Sequence, residues 1–261
     1  MTVEMTLPKL KHPRPLLQRS AVHYPDSDGE PMAENDAQYL CLTDTRFALD
    51  IQFKDQPNVY VAADILVYYA EGDPTKSVAP DVLVAFDVPK GIRRSYRIWD
   101  EGKAPDVIFE IASEGTWRAD VTWKRGLYMG LGVREYFLFD PTATYFKPLL
   151  QGFCERDTLG EPCPPLPPVR GERGLRSNLL GLELWARRND NPDMPYVLRL
   201  YDPAAETWLP TPMEAAERAG AEAAARQAAE RQTEIEAAAR RKAEAEIERL
   251  QAELARLRGE A

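Results

Sequence analysis

The stretch Asp106-Val107-Ile108-Phe109-Glu110-Ile111-Ala112 decides the fold. It is β-branched and aromatic in character and apolar at both alternating sets of positions except for Glu110. That is the pattern of a strand buried on both faces, in a sheet covered by helices. A carboxylate inside such a run costs several kcal/mol unless a cation or a metal ion balances it. Alternation sets Asp106, Ile108, Glu110 and Ala112 on one face, so the balancing group must approach that face. A structural ion pair is the plain reading of Glu110, and a functional carboxylate is the sharper one.

Downstream, Arg118 to Leu131 reads as a helix stopped by Gly132. A strand from Glu135 to Phe139 follows and ends at Asp140-Pro141. This strand–helix–strand unit points to an α/β core. On the helix, Asp120, Lys124 and Tyr128 recur every four residues and share a face. An exposed Asp–Lys pair there would be worth only a few tenths of a kcal/mol. A helix packed back on the strand it follows would instead bring Lys124 to Glu110. Asp120 could position Lys124, and Tyr128 reads as core packing.

Upstream, Pro80 to Phe86 (PDVLVAF) reads as a strand that begins where Pro80 removes a backbone donor. Asp81 stands at its mouth. Asn58 to Tyr69 reads as one further strand, interrupted by the acid Asp64, and Ala33 to Phe53 as a helix. The connection 87–104 is polar and carries Arg93, Arg94 and Arg97 beside Tyr96 and Trp99. It is either a local basic and aromatic patch for a phosphate backbone or a solvated loop.

The chain has 261 residues, a net charge of −9 and 44% hydrophobic residues. No apolar run reaches the roughly 18 residues of a membrane span. The N-terminus lacks the apolar stretch of a signal peptide. Three cysteines form no CxxC pair, and their odd number argues against a secreted disulfide scaffold, so a cytoplasmic location is expected. Two histidines exclude an HExxH zinc site, and no P-loop, GxGxxG or GxSxG is present. An acidic chain does not hold nucleic acid by its bulk field, so a nucleic-acid partner would need metal ions or a local basic patch.

Residues 142–212 read as short strands and Pro-rich loops, with a stiff connector at Cys163 to Pro168. From Met213 onward the composition is rich in Ala, Glu and Arg and free of proline, which predicts one long polar helix. Ile247, Leu250, Leu254 and Leu257 form a 3-4-3 seam near its end. The tail is read either as a solvated helix or as an element of self-association. The expected division is an arm over 1–23, a core domain over 24–212 and a helical tail over 213–261.

Four stretches together resemble the Uma2 family of the PD-(D/E)XK nuclease superfamily. They are YPDSDGEPMAEN (24–35), VYVAADILVYYAEGDP (59–74), APDVLVAFDVPKGIRRSYRIWDEGKAPDVIFEIAS (79–113) and DVTWKRGLYMGLGVREYFLFDP (120–141). The resemblance implies a restriction-endonuclease-like α/β (α+β) fold. That fold is a mixed sheet flanked by helices, here with a β-rich extension and a long C-terminal helix. It implies an endonuclease that hydrolyses phosphodiester bonds, with DNA as the first expectation, using Mg²⁺ or Mn²⁺. Asp81 matches the Asp of the PD motif and Glu110 the second acid, so these two are the expected metal ligands. The superfamily's Lys belongs two residues later, where this chain has Ala112, and the family resemblance places it on the following helix as Lys124. Glu34 matches a position from which some members supply a further acid. A homodimer fits a substrate with two strands. The rival expectation is a catalytically inactive nuclease fold that serves as a binding or assembly module, its tail helix recruiting a partner.

Overall fold

A computed structural model of the chain describes residues 22–27, 29, 33, 35–145, 147–154, 161–162 and 174–259. Most of the expected N-terminal arm, Glu34 and the connector from Cys163 to Pro168 lie outside the described residues.

In chain order the elements begin with helix α1 (Asp36–Gln52), strands β1 (Val59–Ala63), β2 (Val67–Tyr68), β3 (Ser77–Val78), β4 (Val82–Phe86) and β5 (Tyr96–Arg97), and helix α2 (Ile98–Glu101). Strand β6 (Val107–Ile111) leads into one continuous helical segment made of α3 (Trp117–Ala119), a π-helical turn (Asp120–Lys124) and α4 (Arg125–Leu131). Then come β7 (Glu135–Phe139), β8 (Leu150–Cys154), β9 (Glu161–Pro162), β10 (Gly174–Ser177), β11 (Leu182–Arg188), β12 (Tyr196–Asp202), β13 (Thr207–Trp208) and helix α5 (Pro212–Arg258).

The main sheet has six strands in the order β1-β4-β6-β7-β8-β9. It is mixed: β6 and β7 run parallel, and the other neighbours are antiparallel. The parallel pair requires a crossover, which the helical segment from Trp117 to Leu131 provides. All five residues of β6 are buried, as its mostly apolar pattern predicted, and all five of β7 are buried as well. The odd-numbered residues of β6 (Val107, Phe109, Ile111) pack with Cys41, Leu42 and Leu49 of α1 and with the four-stranded sheet β10–β13. On the opposite face Ile108 packs with Tyr96, Tyr128, Val133 and Tyr136.

The architecture is therefore the expected mixed α/β one with added β structure and a long C-terminal helix. Two local expectations are corrected. Asn58 to Tyr69 is not one strand. The backbone turns at Asp64, whose φ is +48°, and Val67–Tyr68 joins a separate sheet with β3 and β5. Left-handed geometry is tolerated at Asp better than at most side chains, which is why the acid stands at the break. The loop 87–104 in turn contains β5 and the short α2.

Helix α5 starts at a capping box. Thr211 accepts from the Glu214 N–H at 3.2 Å, and Glu214 accepts from the Thr211 N–H at 3.0 Å. A bidentate pair from Arg199 on β12 to Glu214, 2.9 Å on each arm, fixes its first turn to the body. No residue of α5 is buried, and Ile247, Leu250, Leu254 and Leu257 are all exposed. Among the described residues no helix is long and apolar enough to cross a membrane. Cys41 is buried and free, and Cys154 is disulfide-bonded, which an odd number of cysteines does not exclude.

Candidate active site

Asp81 directly precedes β4, and the register Val82↔Phe109, continued by one pair, sets it opposite Glu110. Asp81, Leu83 and Ala85 share one side of β4, and Glu110 shares the matching side of β6 with Ile108. Both carboxylates thus lie on the face covered by the helical segment, near the carboxyl end of β6. Glu110 is 2% exposed and Asp81 8%.

Lys124 reaches Glu110 of this pair. Its ammonium lies 3.1 Å from Glu110 Oε1 and 2.8 Å from Asp120 Oδ1. The π-helical turn brings about this convergence. In a π-helix the hydrogen bonds run five residues apart, the turn is wider, and residues four apart come closer to alignment than in an α-helix. Asp120 and Lys124 therefore both face the strand. Tyr136 of β7 holds the turn by donating its hydroxyl to the Asp120 carbonyl at 2.9 Å. Tyr128, one α-turn on, donates to Glu110 Oε1 at 2.6 Å. From the other face of the sheet, Gln38 of α1 donates to Asp81 Oδ1 at 3.2 Å and to the Ile111 carbonyl at 3.4 Å. The Ile111 N–H donates to Asp81 Oδ2 at 2.6 Å.

The electrostatics follow from burial. Asp81, Glu110 and Asp120 are each pushed up to about 7, in every case first by desolvation. Lys124 partly offsets this at all three, while the carboxylates raise one another. Desolvation alone would lower Lys124, but the three carboxylates around it carry its pKa above the ordinary ammonium value. Lys124 is therefore a fixed ammonium, suited to donate hydrogen bonds and to stabilise negative charge, and unsuited to take a proton. Tyr128 is pushed up by burial and by Glu110, so it stays a phenol and a donor.

Three carboxyls share one cation. If all were ionised the cluster would carry two uncompensated negative charges in a dry place. A divalent cation fits that deficit. No group of three or more His, Cys, Asp or Glu side chains among the described residues is spaced to hold a metal ion. Mg²⁺ does not need such a cage, because it binds through one or two carboxylates and completes its octahedron with water and phosphate oxygens. Asp81 and Glu110 would be those carboxylates.

Of the four residues singled out in the sequence, the structure brings Asp81, Glu110 and Lys124 together, and Glu34 lies outside the described residues. Asp120 and Tyr128 join them, so Tyr128 is a polar partner of the cluster as well as core. Gln38 was missed. Its signal is a polar side chain on the buried stripe of α1, shared with Cys41, Leu42, Thr45 and Leu49. Asp64 is exposed, and its backbone N–H touches the site, donating to the Asp81 carbonyl at 3.2 Å. It lines a separate cleft of about 520 Å³ along β1, with Arg46, Arg93 and Arg94. Each arginine of the loop is already paired with an acid: Arg93 with Glu101, Arg94 with Asp26 and Arg97 with Asp100.

A search of the solved structures finds similarity to a chain described as a putative nuclease belonging to DUF820 from Anabaena variabilis. The two are 19% identical with a TM-score of 0.36, over 51% of this chain and 73% of that one. No curated protein matches. The family model described as "Uma2: Putative restriction endonuclease" matches residues 17–194, which include every residue of the acid cluster. The chain belongs to the Uma2 family.

Proposed function

We propose that this protein is an endonuclease that hydrolyses phosphodiester bonds in DNA with a divalent metal ion, Mg²⁺ or Mn²⁺. The observation that carries this reading is the buried convergence of Glu110, Asp81 and Asp120 on the single ammonium of Lys124. Three desolvated carboxyls around one cation are costly to a fold and have no structural need to be there.

Asp81 and Glu110 would hold the metal, which when bound would supply Lewis-acid stabilisation of the phosphate's charge. Gln38 and the Ile111 N–H fix Asp81, and Tyr128 fixes Glu110, so both carboxylates are oriented before substrate arrives. Lys124, gripped by Glu110 and Asp120, keeps one ammonium N–H to donate to a non-bridging phosphate oxygen. Asp120 is a positioning residue that sets the Lys124 side chain. Water attacks phosphorus in line, a new O–P bond forms, and the P–O3′ bond breaks. Of the water's two protons one stays on the new 5′-phosphate hydroxyl and the other passes through solvent to the 3′ oxygen, leaving a 5′ phosphate and a 3′ hydroxyl.

Supercoiled plasmid nicking tests the proposal. Wild type should nick with Mg²⁺ or Mn²⁺ and stop in EDTA, and Glu110→Gln should be silent while still folded. A folded wild type that leaves plasmid and linear substrates intact would favour the rival reading. That reading is an inactive module recruited through α5, and Ala112 in the superfamily's Lys position points toward it.

A further inference from the structure

Helix α5 carries a stripe of apolar residues at its far end. Ile247, Leu250, Leu254 and Leu257 follow the 3-4-3 spacing that assigns Ile247 and Leu254 to heptad position a and Leu250 and Leu257 to position d. All four are between 47% and 81% exposed. The body covers none of them: α5 is tied to it through its first turn, by Arg199 and Glu214, and no residue of α5 is buried. Upstream of the stripe the helix is supported by its own charges, Arg226 on Glu230 at 3.0 Å and Arg240 on Glu244 at 2.8 Å. A solvated helix sustained by such pairs has no use for four large aliphatic side chains on one face, and a stripe of that kind marks a contact surface. Going upstream, the next positions d and a fall on Ala243 and Arg240, so the stripe ends there.

The flanking charges point to what covers it. Glu246 and Glu253 occupy positions g, and Gln251 and Arg258 positions e. In two parallel helices each g residue faces the e residue five positions on in the other copy. Glu253 then meets Arg258 on both sides of the seam, and Glu246 meets the neutral Gln251. In two antiparallel helices burying the same stripe, Leu257 would pack on Ile247 of the other copy, and Glu253 would stand against its own copy. Charge therefore favours the parallel arrangement, and Ile at a with Leu at d is the combination that favours two strands. We infer that α5 is a dimerisation arm. Ile247, Leu250, Leu254 and Leu257 of two copies of this chain pair as a short parallel coiled coil, with Glu253 of each copy against Arg258 of the other. The joint lies about 45 Å of helix beyond the body, at about 1.5 Å per residue from Pro212 to Ala243. Parallel pairing leaves both bodies on the same side of it, so two acid clusters can address the two strands of one duplex. That consequence rests on the nuclease reading of the site; the pairing itself does not.

Sedimentation of the full chain over a range of concentrations tests the pairing. Wild type should show a reversible equilibrium between monomer and dimer, because the joint is small. Leu254→Glu, at an exposed position far from the body, should keep the wild-type circular dichroism and be monomeric throughout. Glu253→Arg and Arg258→Glu should each raise the dimer's Kd about two- to thirty-fold, the range for two exposed ion pairs. The double variant Glu253→Arg with Arg258→Glu should recover the wild-type Kd, which an antiparallel pair would not allow. A wild type that stays monomeric, a dimer that survives Leu254→Glu, or a double variant as weak as the single ones would each overturn the inference. On supercoiled plasmid with Mg²⁺, wild type should give linear product early, and Leu254→Glu should give open circles first. A dimer that leaves plasmid intact would uphold the arm and refute the hydrolysis. A wild-type monomer that cuts would overturn the arm and leave the hydrolysis standing.

Discussion

Replacing Glu110 by Gln should make the protein more stable and inactive, and the gain in stability should depend on pH. Burial raises Glu110 from 4.5 to about 7, so its folded-state value lies above its unfolded one. The folded protein therefore carries no penalty below about pH 4.5, where both states hold the proton. The penalty grows as pH rises and is complete above about 7. Linkage makes it about 1 kcal/mol at pH 5 and about 3 kcal/mol at pH 8. The introduced amide would keep an oxygen to accept from Tyr128, and Lys124 would keep Asp120 at 2.8 Å, so no buried charge is left alone. The variant should gain about 1–3 kcal/mol at pH 8, or about 2–12 °C in Tm, and clearly less at pH 5. The assay is thermal unfolding at both pH values, with and without Mg²⁺. Metal bound at 100 times its Kd should add about 2.7 kcal/mol to wild type and little to the variant. A variant destabilised equally at both pH values would overturn this account, because Glu110 would then be a structural partner of Lys124.

Other perturbations test the same picture. Lys124→Met removes the cation that touches both Glu110 and Asp120; it should cost about 3–5 kcal/mol at pH 8, seen by denaturant unfolding, and much less near pH 5, where the carboxyls are protonated. Gly152→Ala on β8 would set a methyl 2.8 Å from the Phe137 ring, against a fully buried side chain of the neighbouring strand. It should cost about 1–3 kcal/mol in thermal unfolding, whereas Gly126→Ala on α4, with open space around it, should be neutral or stabilising.

A good part of this protein is legible in its residues. An apolar run occupied at both alternating positions can be buried only in a covered sheet, so β6 and β7 could be read, and so could the helix that must link two parallel strands. Glu110 stood out because a carboxylate in that run violates the cost of burying charge. Asp81 was recognised less from its own environment than from the family pattern. The proline-free tail, rich in Ala, Glu and Arg, has the composition of a helix. Folding in three dimensions settled what local pattern cannot encode. The register of β4 on β6 sets Asp81 against Glu110, and no property of either strand alone contains that register. The π-helical turn at Asp120–Lys124 reads in sequence as ordinary α-helix, and the wider turn holds only because packing and the Tyr136 hydroxyl support it. Gln38 comes from a helix 43 positions before Asp81 and from the opposite face of the sheet. The arginines of the 87–104 loop have their acids chosen by folding, some close in sequence and one, Asp26, far away. Sequence sets which groups are costly to bury, and only the packed chain decides which partners offset that cost.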